Sequence, residues 1–365
     1  MSFELIVILI TLKRHLILKK SIIVTGCAGF IGANFVNYWL KNHKEDLVIG
    51  VDLLTYAGNM ANLKFAKTNA NFVFVKGDIC DENLIEKTVQ KYNIDTIVHF
   101  AAESHVDRSI TGPDQFIETN IIGTYNLLKV AKKCWLDVED PKLAHRFHHV
   151  STDEVYGTLT PDAPSFTEEH QYAPNSPYSA SKAASDHLVR AFHHTYGLNV
   201  TTSNCSNNYG PFHFPEKLIP LVITNILNDK PLPIYGDGMQ IRDWLYVEDH
   251  AYGIDLILSK GKVGETYNIG GNNEWANIDI VKKVCELIQI AFESDAGLAK
   301  KYSNAKHASE SITESLICYV TDRPGHDRRY AIDAEKSARE LGYCPKETFE
   351  SGINKTVHWY LQNDD

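Results

Sequence analysis

The chain has no surplus of positive charge. Its 365 residues carry 36 Lys and Arg against 46 Asp and Glu, a net charge of −10. Non-specific nucleic-acid binding needs a basic surface, so that class is excluded. An anionic small molecule is not excluded, because a few local arginines decide that. Cysteine is sparse. The seven, at 27, 80, 134, 205, 285, 318 and 344, are odd in number, widely spaced and form no CxxC pair. That points away from a disulfide framework or zinc site and fits a reducing compartment, hence a cytoplasmic location. Sixteen histidines include neighbours at 148–149 and 193–194. Adjacent side chains on one element diverge and no carboxylate completes a ligand spacing, so no metal is expected. No apolar run reaches the roughly 20 residues that cross a bilayer. In the opening "FELIVILITLKRHLILKK" the basic residues follow the apolar run, and no small-residue cleavage site appears. Residues 1–20 are expected to be an extension ahead of the fold, and no membrane partner is expected. Internal repeats and low-complexity tracts are lacking too.

What is present is alternation. Hydrophobic residues at 44% and charged residues at 22% are ordinary for a globular protein. "SIIVTG" reads as a strand and "FIGANFVNYWLKNH" as a helix, with Phe30, Phe35, Val36, Trp39 and Leu40 on one face. "DLVIGVD", "NFVFVKGD", "IDTIVHFAAES", "HRFHHVST" and "NVTTSNCS" continue the strands. "ENLIEKTVQKYN", "FIETNIIGTYNLLKVAKKC" and "YSASKAASDHLVRAFHHTYG" supply helices between them. This predicts an α/β fold: a Rossmann-type, doubly wound parallel sheet with helices on both faces. Prolines at 211, 215, 220, 231 and 233 loosen the rhythm. We place residues 21–210 in a dinucleotide-binding domain. Residues 211–365 mainly form a smaller C-terminal lobe, with some segments returning to the first domain.

"TGCAGFIG" sets Gly26, Gly29 and Gly32 between the first strand and first helix. The first allows a tight turn, the second lets backbone approach a pyrophosphate, and the third lets helix and strand pack closely. Asp52 ends the second strand, where an acid accepts hydrogen bonds from ribose hydroxyls and repels a 2′-phosphate, favouring NAD over NADP. Asp78 ends the third strand and Ala101–Ala102 the fourth, on the edge where ligands bind. "YSASK" puts Tyr178 and Lys182 four apart on one helix face. A phenol has a pKa near 10. A neighbouring ammonium and the positive nicotinamide ring should lower it, leaving Tyr178 able to act as a general base. At the end of the fifth strand stand Ser151, Thr152, Asp153 and Glu154, two adjacent acids whose purpose the pattern alone leaves open.

The motifs together resemble the extended short-chain dehydrogenase/reductases, and within them the dTDP-glucose 4,6-dehydratase family. The resemblance runs from about residue 20 to the C-terminus. It rests on "TGCAGFIG", "LLTYAGN", "HFAAESHVDRSI", "STDEVYG", "SPYSASKAASDHLVR", "NCSNNYGP", "FPEKLIPL", "YGDG", "IRDWLYVEDH", "YNIGG" and "DRPGHDRRYAID". It implies NAD contacts at Phe30, Ile31, Leu53, Thr55, Gly58, Ile79, Ser104, Thr119 and Asn208, besides the residues named above and Tyr178 and Lys182. It implies a catalytic set of Thr152, Asp153, Glu154, Tyr178 and Lys182. Tyr178, aided by Thr152 and Lys182, would deprotonate the C4 hydroxyl, Glu154 would take the C5 proton, and Asp153 would protonate the departing C6 hydroxyl. Sugar 4-epimerases of the superfamily generally lack that acid pair.

By the same resemblance, the nucleotide sugar dTDP-glucose would touch Ser104, Thr152, Asn207, Lys217, Leu218 and Asn277. It would also touch Pro233, Tyr235, Arg242, Asp322, Arg323 and His326. Guanidinium groups suit a diphosphate, which makes Arg242 and Arg323 candidates on chemical grounds as well. The product would enter synthesis of deoxysugars such as dTDP-L-rhamnose. Cys27 stands where the family has a small residue, and residues 294–316 look like a polar surface insertion. Helices 115–134 and 178–196 carry apolar residues suited to a homodimer interface of four helices. Alternatives are another nucleotide-sugar dehydratase or 4-epimerase, or a non-catalytic NAD-binding sensor. A sensor has no need of the Tyr178–Lys182 pair.

Overall fold

A computed structural model describes residues 19–141, 144–322 and 326–363. Most of the expected N-terminal extension, 1–18, lies outside those residues. Lys20 is already tied in: its N–H donates to Asp46 Oδ1 at 2.8 Å and its carbonyl accepts from Leu47.

Strands β1 (Ser21–Thr25), β2 (Leu47–Asp52), β3 (Phe72–Lys76), β4 (Thr96–His99), β5 (Arg146–Thr152) and β6 (Val200–Cys205) build one parallel sheet with a seventh strand, Thr266–Ile269. The order is β3-β2-β1-β4-β5-β6 and then the seventh strand. The path reverses at β1, so the crevice beyond the carboxyl ends of β1 and β4 is the switch point where ligands bind. Helices cover both faces, which is why the strands read as near-continuous apolar runs. Side chains still alternate. Ile23 joins the core on one face with Ile49, Val51 and Leu127. Ile22 and Val24 join the other with Phe35, Val36 and Trp39. Phe30, grouped with that face by spacing, stacks instead on His213 with ring centroids 4.1 Å apart. The Cys27 thiol is buried over Gly50, whose Cβ would lie 2.6 Å from the sulfur, so the larger residue fits because β2 offers a glycine.

The expected helix 116–134 is not uniform. A π-helical stretch, Ile117–Gly123, precedes the α-helix Thr124–Trp135. The wider turn sets Asn120 inward, where its Nδ2 donates to the Glu103 carbonyl (3.0 Å) and to Ser181 Oγ (2.8 Å). It thereby joins the β4 loop to the helix Pro177–Tyr196.

Past residue 206, strands Asn207–Tyr209, Glu274–Ala276 and Arg329–Tyr330 all pair with Ile241–Tyr246, while Leu232–Tyr235 pairs with Ile317–Val320. Helices Leu218–Leu227, Asn277–Ser294 and Phe349–Gln362 pack there around Ile223, Val284 and Ile353. Residues 294–316 are not merely a surface insertion. Ala305 and Ala308 are buried in this core, and the Tyr302 hydroxyl donates to the Leu361 carbonyl at 3.0 Å. The polar composition hid two alanines small enough for close helix approach.

Trp39 is fully buried and its indole N–H donates to Asp46 Oδ2 at 3.2 Å. Trp39→Ala removes a large core side chain and a hydrogen bond together. It should cost about 3–5 kcal/mol in urea unfolding.

Candidate active site

The turn after β1 is shaped by contacts that only glycine tolerates. Gly26 has φ +67°, and a Cβ there would lie 2.8 Å from the Ala101 nitrogen. A Cβ on Gly32 would lie 2.1 Å from the Gly26 carbonyl oxygen. Gly29 differs: its Cβ would meet only the Gly26 oxygen, at 3.4 Å. The protein leaves room beside Gly29, and that room opens at the N-terminus of the helix Phe30–Asn42, as a pyrophosphate requires. Asp52 accepts from the N–H groups of Ala28 (2.9 Å) and Leu54 (2.7 Å), which orients its carboxylate at the crevice rim. A carboxylate has further lone pairs for ribose hydroxyls. These residues fit a bound NAD.

The crevice wall includes the other residues expected at the cofactor. Phe30, Ile31, Leu53, Thr55, Gly58, Asp78 and Ile79 lie at its β1–β3 end. Ala101, Ala102, Ser104, Thr119 and Asn208 continue it. The same wall then reaches the groups expected to do chemistry.

Strand β5 ends at Thr152, and the chain turns at once into a 3₁₀ segment, Asp153–Tyr156. The Thr152 hydroxyl caps that turn, accepting from the Glu154 N–H and donating to Asp153 Oδ1, both at 3.4 Å. Asp153 is 1% exposed, and its Oδ2 has no protein partner. Burial first, then the Glu154 and Asp243 charges, push the Asp153 carboxyl well above the usual range. Burial therefore favours the protonated acid.

Helix Pro177–Tyr196 starts at a capping box on Ser176, with Pro177 in its first turn. That cap sets Tyr178 and Lys182 against β5. Lys182 Nζ donates to the Val150 carbonyl at 2.8 Å. The Thr152 hydroxyl acts on the Tyr178 phenol in favour of its ionised form. The expected lowering of Tyr178 by Lys182 is not produced by the chain's own groups. Burial, then the Glu154 charge, push the phenol well above 10, and Thr152 opposes them. The Lys182 ammonium is committed to a backbone carbonyl, and the charges that act on the phenol are those of acids.

On the side away from the cofactor turn, Asn207, Lys217, Leu218, Pro233, Tyr235, Arg242, Asn277 and His326 line the same crevice. Arg242 donates to the carbonyls of Ile241 (2.7 Å) and Asp327 (2.9 Å) and stacks on the Tyr330 ring. Asp322 is not on the wall. It accepts from His326 Nδ1 (2.6 Å) and Gln240 Nε2 (3.0 Å), so it steadies His326. Arg323 lies outside the described residues. The sequence reading missed Glu103, Glu216 and Asp327, acids on the wall that sit inside quoted motifs but were given no role there. Glu216 was visible only as the neighbour of Lys217. In the structure it pairs with Arg108 at 3.0 Å and bridges the loops on either side of the crevice.

A family model described as GDP-mannose 4,6 dehydratase matches residues 23–356. The dTDP-glucose 4,6-dehydratase of Salmonella typhimurium is 56% identical over 94% of this chain and 93% of its own. The chain belongs to the dTDP-glucose 4,6-dehydratase family. The enzyme of that name from Neisseria meningitidis is 54% identical, over 94% of both chains. A crystal structure of the Streptomyces venezuelae dTDP-glucose 4,6-dehydratase, with NAD and TYD bound, superposes with a TM-score of 0.81. It is 45% identical, over 94% of this chain and 97% of that one.

Because Gly29 has space around it and an ordinary negative φ of −77°, Gly29→Ala should fold and melt like the parent. Its methyl group would occupy the space a pyrophosphate needs. NAD binding, read by calorimetric titration of cofactor-stripped protein, should weaken at least about tenfold.

Proposed function

We propose that the protein dehydrates dTDP-glucose to dTDP-4-dehydro-6-deoxyglucose, with NAD as resident cofactor, on the route to deoxysugars. Residues 21–210 hold the cofactor and the reacting groups, and the lobe 211–365 grips the nucleotide sugar. The observation that carries this reading is the buried Asp153 carboxyl, whose Oδ2 has no protein partner, beside Glu154 in the crevice that also holds Tyr178 and the glycine turn. A 4-epimerase needs the Tyr–Lys pair but has no step that a protonated carboxyl and an adjacent base would serve.

The residues divide the work as follows. Tyr178, aided by Thr152, takes the proton of the C4 hydroxyl. With the cofactor in place, the cationic nicotinamide, aided by the Lys182 ammonium on the same helix face, must offset the burial and the Glu154 charge that disfavour the phenolate. When bound, NAD supplies the redox chemistry, accepting hydride from C4 and giving it back at C6. The C4 ketone acidifies C5–H, and Glu154 takes that proton. Asp153 gives its proton to the departing C6 hydroxyl, so the leaving group is water. Glu154 then returns its proton to C5. The sum is loss of one water with no net oxidation. Tyr178 ends one proton richer and Asp153 one poorer. The Thr152 hydroxyl, which donates to Asp153 and acts on Tyr178, is a route for resetting them. Close acids titrate as a pair; burial of Asp153 decides which keeps the proton.

A homodimer and a cytoplasmic location belong to the same reading. Ile117, Ile122, Tyr125 and Tyr196, on helices 115–134 and 178–196, are each more than 40% exposed and form an apolar face suited to a second copy. All seven cysteines are unpaired, as a reducing compartment requires. Among the described residues, no helix is long and apolar enough to cross a membrane.

The decisive experiment incubates the purified protein with dTDP-glucose, with UDP-glucose in parallel, and follows product mass. Loss of one water from dTDP-glucose is expected; a dTDP-galactose product of unchanged mass would replace this reading with epimerisation. Glu154→Gln should still oxidise C4 and then stall. Absorbance of reduced cofactor should accumulate while turnover falls by about 10²-fold or more. Undiminished turnover would remove Glu154 as the base.

A further inference from the structure

Behind the catalytic helix lies a second cavity. Its wall includes the loop 167–172, Asp186 and Arg190 of the helix Pro177–Tyr196, and Lys336. Asp186 is 5% exposed and follows Tyr178 and Lys182 on the same helical stripe, at i+8 and i+4. Tyr178 and Lys182 face the crevice, while Asp186 stands where the helix separates the crevice from the second cavity. Ser151, on the crevice wall, donates from Oγ to Asp186 Oδ2 at 2.8 Å. His149 Nε2 lies 3.0 Å from Asp186 Oδ1. Ser151 and His149 come from β5, the strand that delivers Thr152 and Asp153.

Lys182 is 4% exposed. A buried ammonium loses its proton unless a counter-charge stands by. Its hydrogen-bond acceptor, the Val150 carbonyl, is neutral. Burial draws the Lys182 pKa down, and Asp186 leads the groups that push it back up, followed by Cys205. Asp186 is itself pushed up to about 6 by burial, and Lys182 leads the groups that oppose this. The titratable and charged groups facing Asp186 are Lys182 and His187 on its own helix, His149 from β5, and Tyr156 and Tyr172 from the chain after β5. Burial, then Lys182, hold His149 well below its ordinary value, so it is neutral and does not compete for the carboxylate.

We propose that Asp186 is a positioning residue for C4 oxidation: from behind the catalytic helix its carboxylate keeps Lys182 in the ammonium form, and the second cavity joins that carboxylate to solvent. The inference rests on the reading of Tyr178 and Lys182 given above.

The test uses the full chain carrying Glu154→Gln, so that C4 oxidation is followed alone, as the rise of reduced-cofactor absorbance on mixing with dTDP-glucose. Asp153 plays no part in that step. Asp186→Asn should move the alkaline limb of this rate down by about one pH unit or more, a loss of about tenfold at the pH where the parent begins to decline. Its rate below the limb should stay within about threefold of the parent. Asp186→Glu, which keeps the charge, should restore the limb. Asp186→Ser, with room for water from the second cavity, should behave as Asp186→Asn and replaces it if the amide variant does not fold by circular dichroism. An unmoved limb, or a loss equal at every pH, overturns the proposal. So does unfolding of both neutral variants while Asp186→Glu folds, which would make the carboxylate only structural. If Glu154→Gln alone gives no absorbance, it is the reading of the site that fails, not this inference.

Discussion

Desolvation at the end of β5 is the constraint on which the site depends. Strand β5 sits inside a sheet covered on both faces, and its last residues stay buried through Asp153. A carboxyl taken out of water there keeps its proton, a phenol beside it resists losing one, and an ammonium tends to shed its own. Each tendency must be answered by a neighbour, and the rest of the fold arranges those neighbours. Thr152 donates to Asp153 and favours ionisation of Tyr178. The Val150 carbonyl and Asp186 answer Lys182. The cofactor turn opens on the same crevice, so a positive ring can answer Tyr178.

One helix carries much of this arrangement. Pro177–Tyr196 is started by a capping box and held by Asn120 through Ser181. Asn120 reaches it because the neighbouring helix widens into a π turn at Ile117–Gly123. The β4 loop, the cofactor wall and the catalytic helix are thus joined through one amide side chain. The crevice is also spanned farther out, where Arg108 pairs with Glu216 and Lys217 donates to the Ser104 carbonyl. These contacts tie the two sides of the crevice together.

Much of this was legible in the residue order, because its signals are local. Alternation of strands and helices announces the parallel sheet. Three glycines between a strand and a helix announce the phosphate turn, and Tyr178 with Lys182 announces a catalytic helix face. What was not legible involves partners far apart in sequence. Asp322 looked like a substrate contact, yet it supports His326. The alanines at 305 and 308 lay hidden in a polar stretch that packs into the lobe core. Glu216 and Asp186 lay within recognisable motifs but were given no role, although Asp186 keeps the four-residue step of Tyr178 and Lys182.

The acid pair shows the division most plainly. Sequence alone determined that Asp153 and Glu154 stand at the carboxyl end of a strand in a dinucleotide-binding sheet, since strand periodicity and neighbouring motifs are properties of the chain order. Only the tertiary structure decided that Asp153 is buried with one oxygen unpartnered, which favours its protonated form. Protonation follows from the dielectric and the charges that packing brings near. Those come from Glu154 next door, but also from Asp243 and Arg242, ninety residues further along the chain.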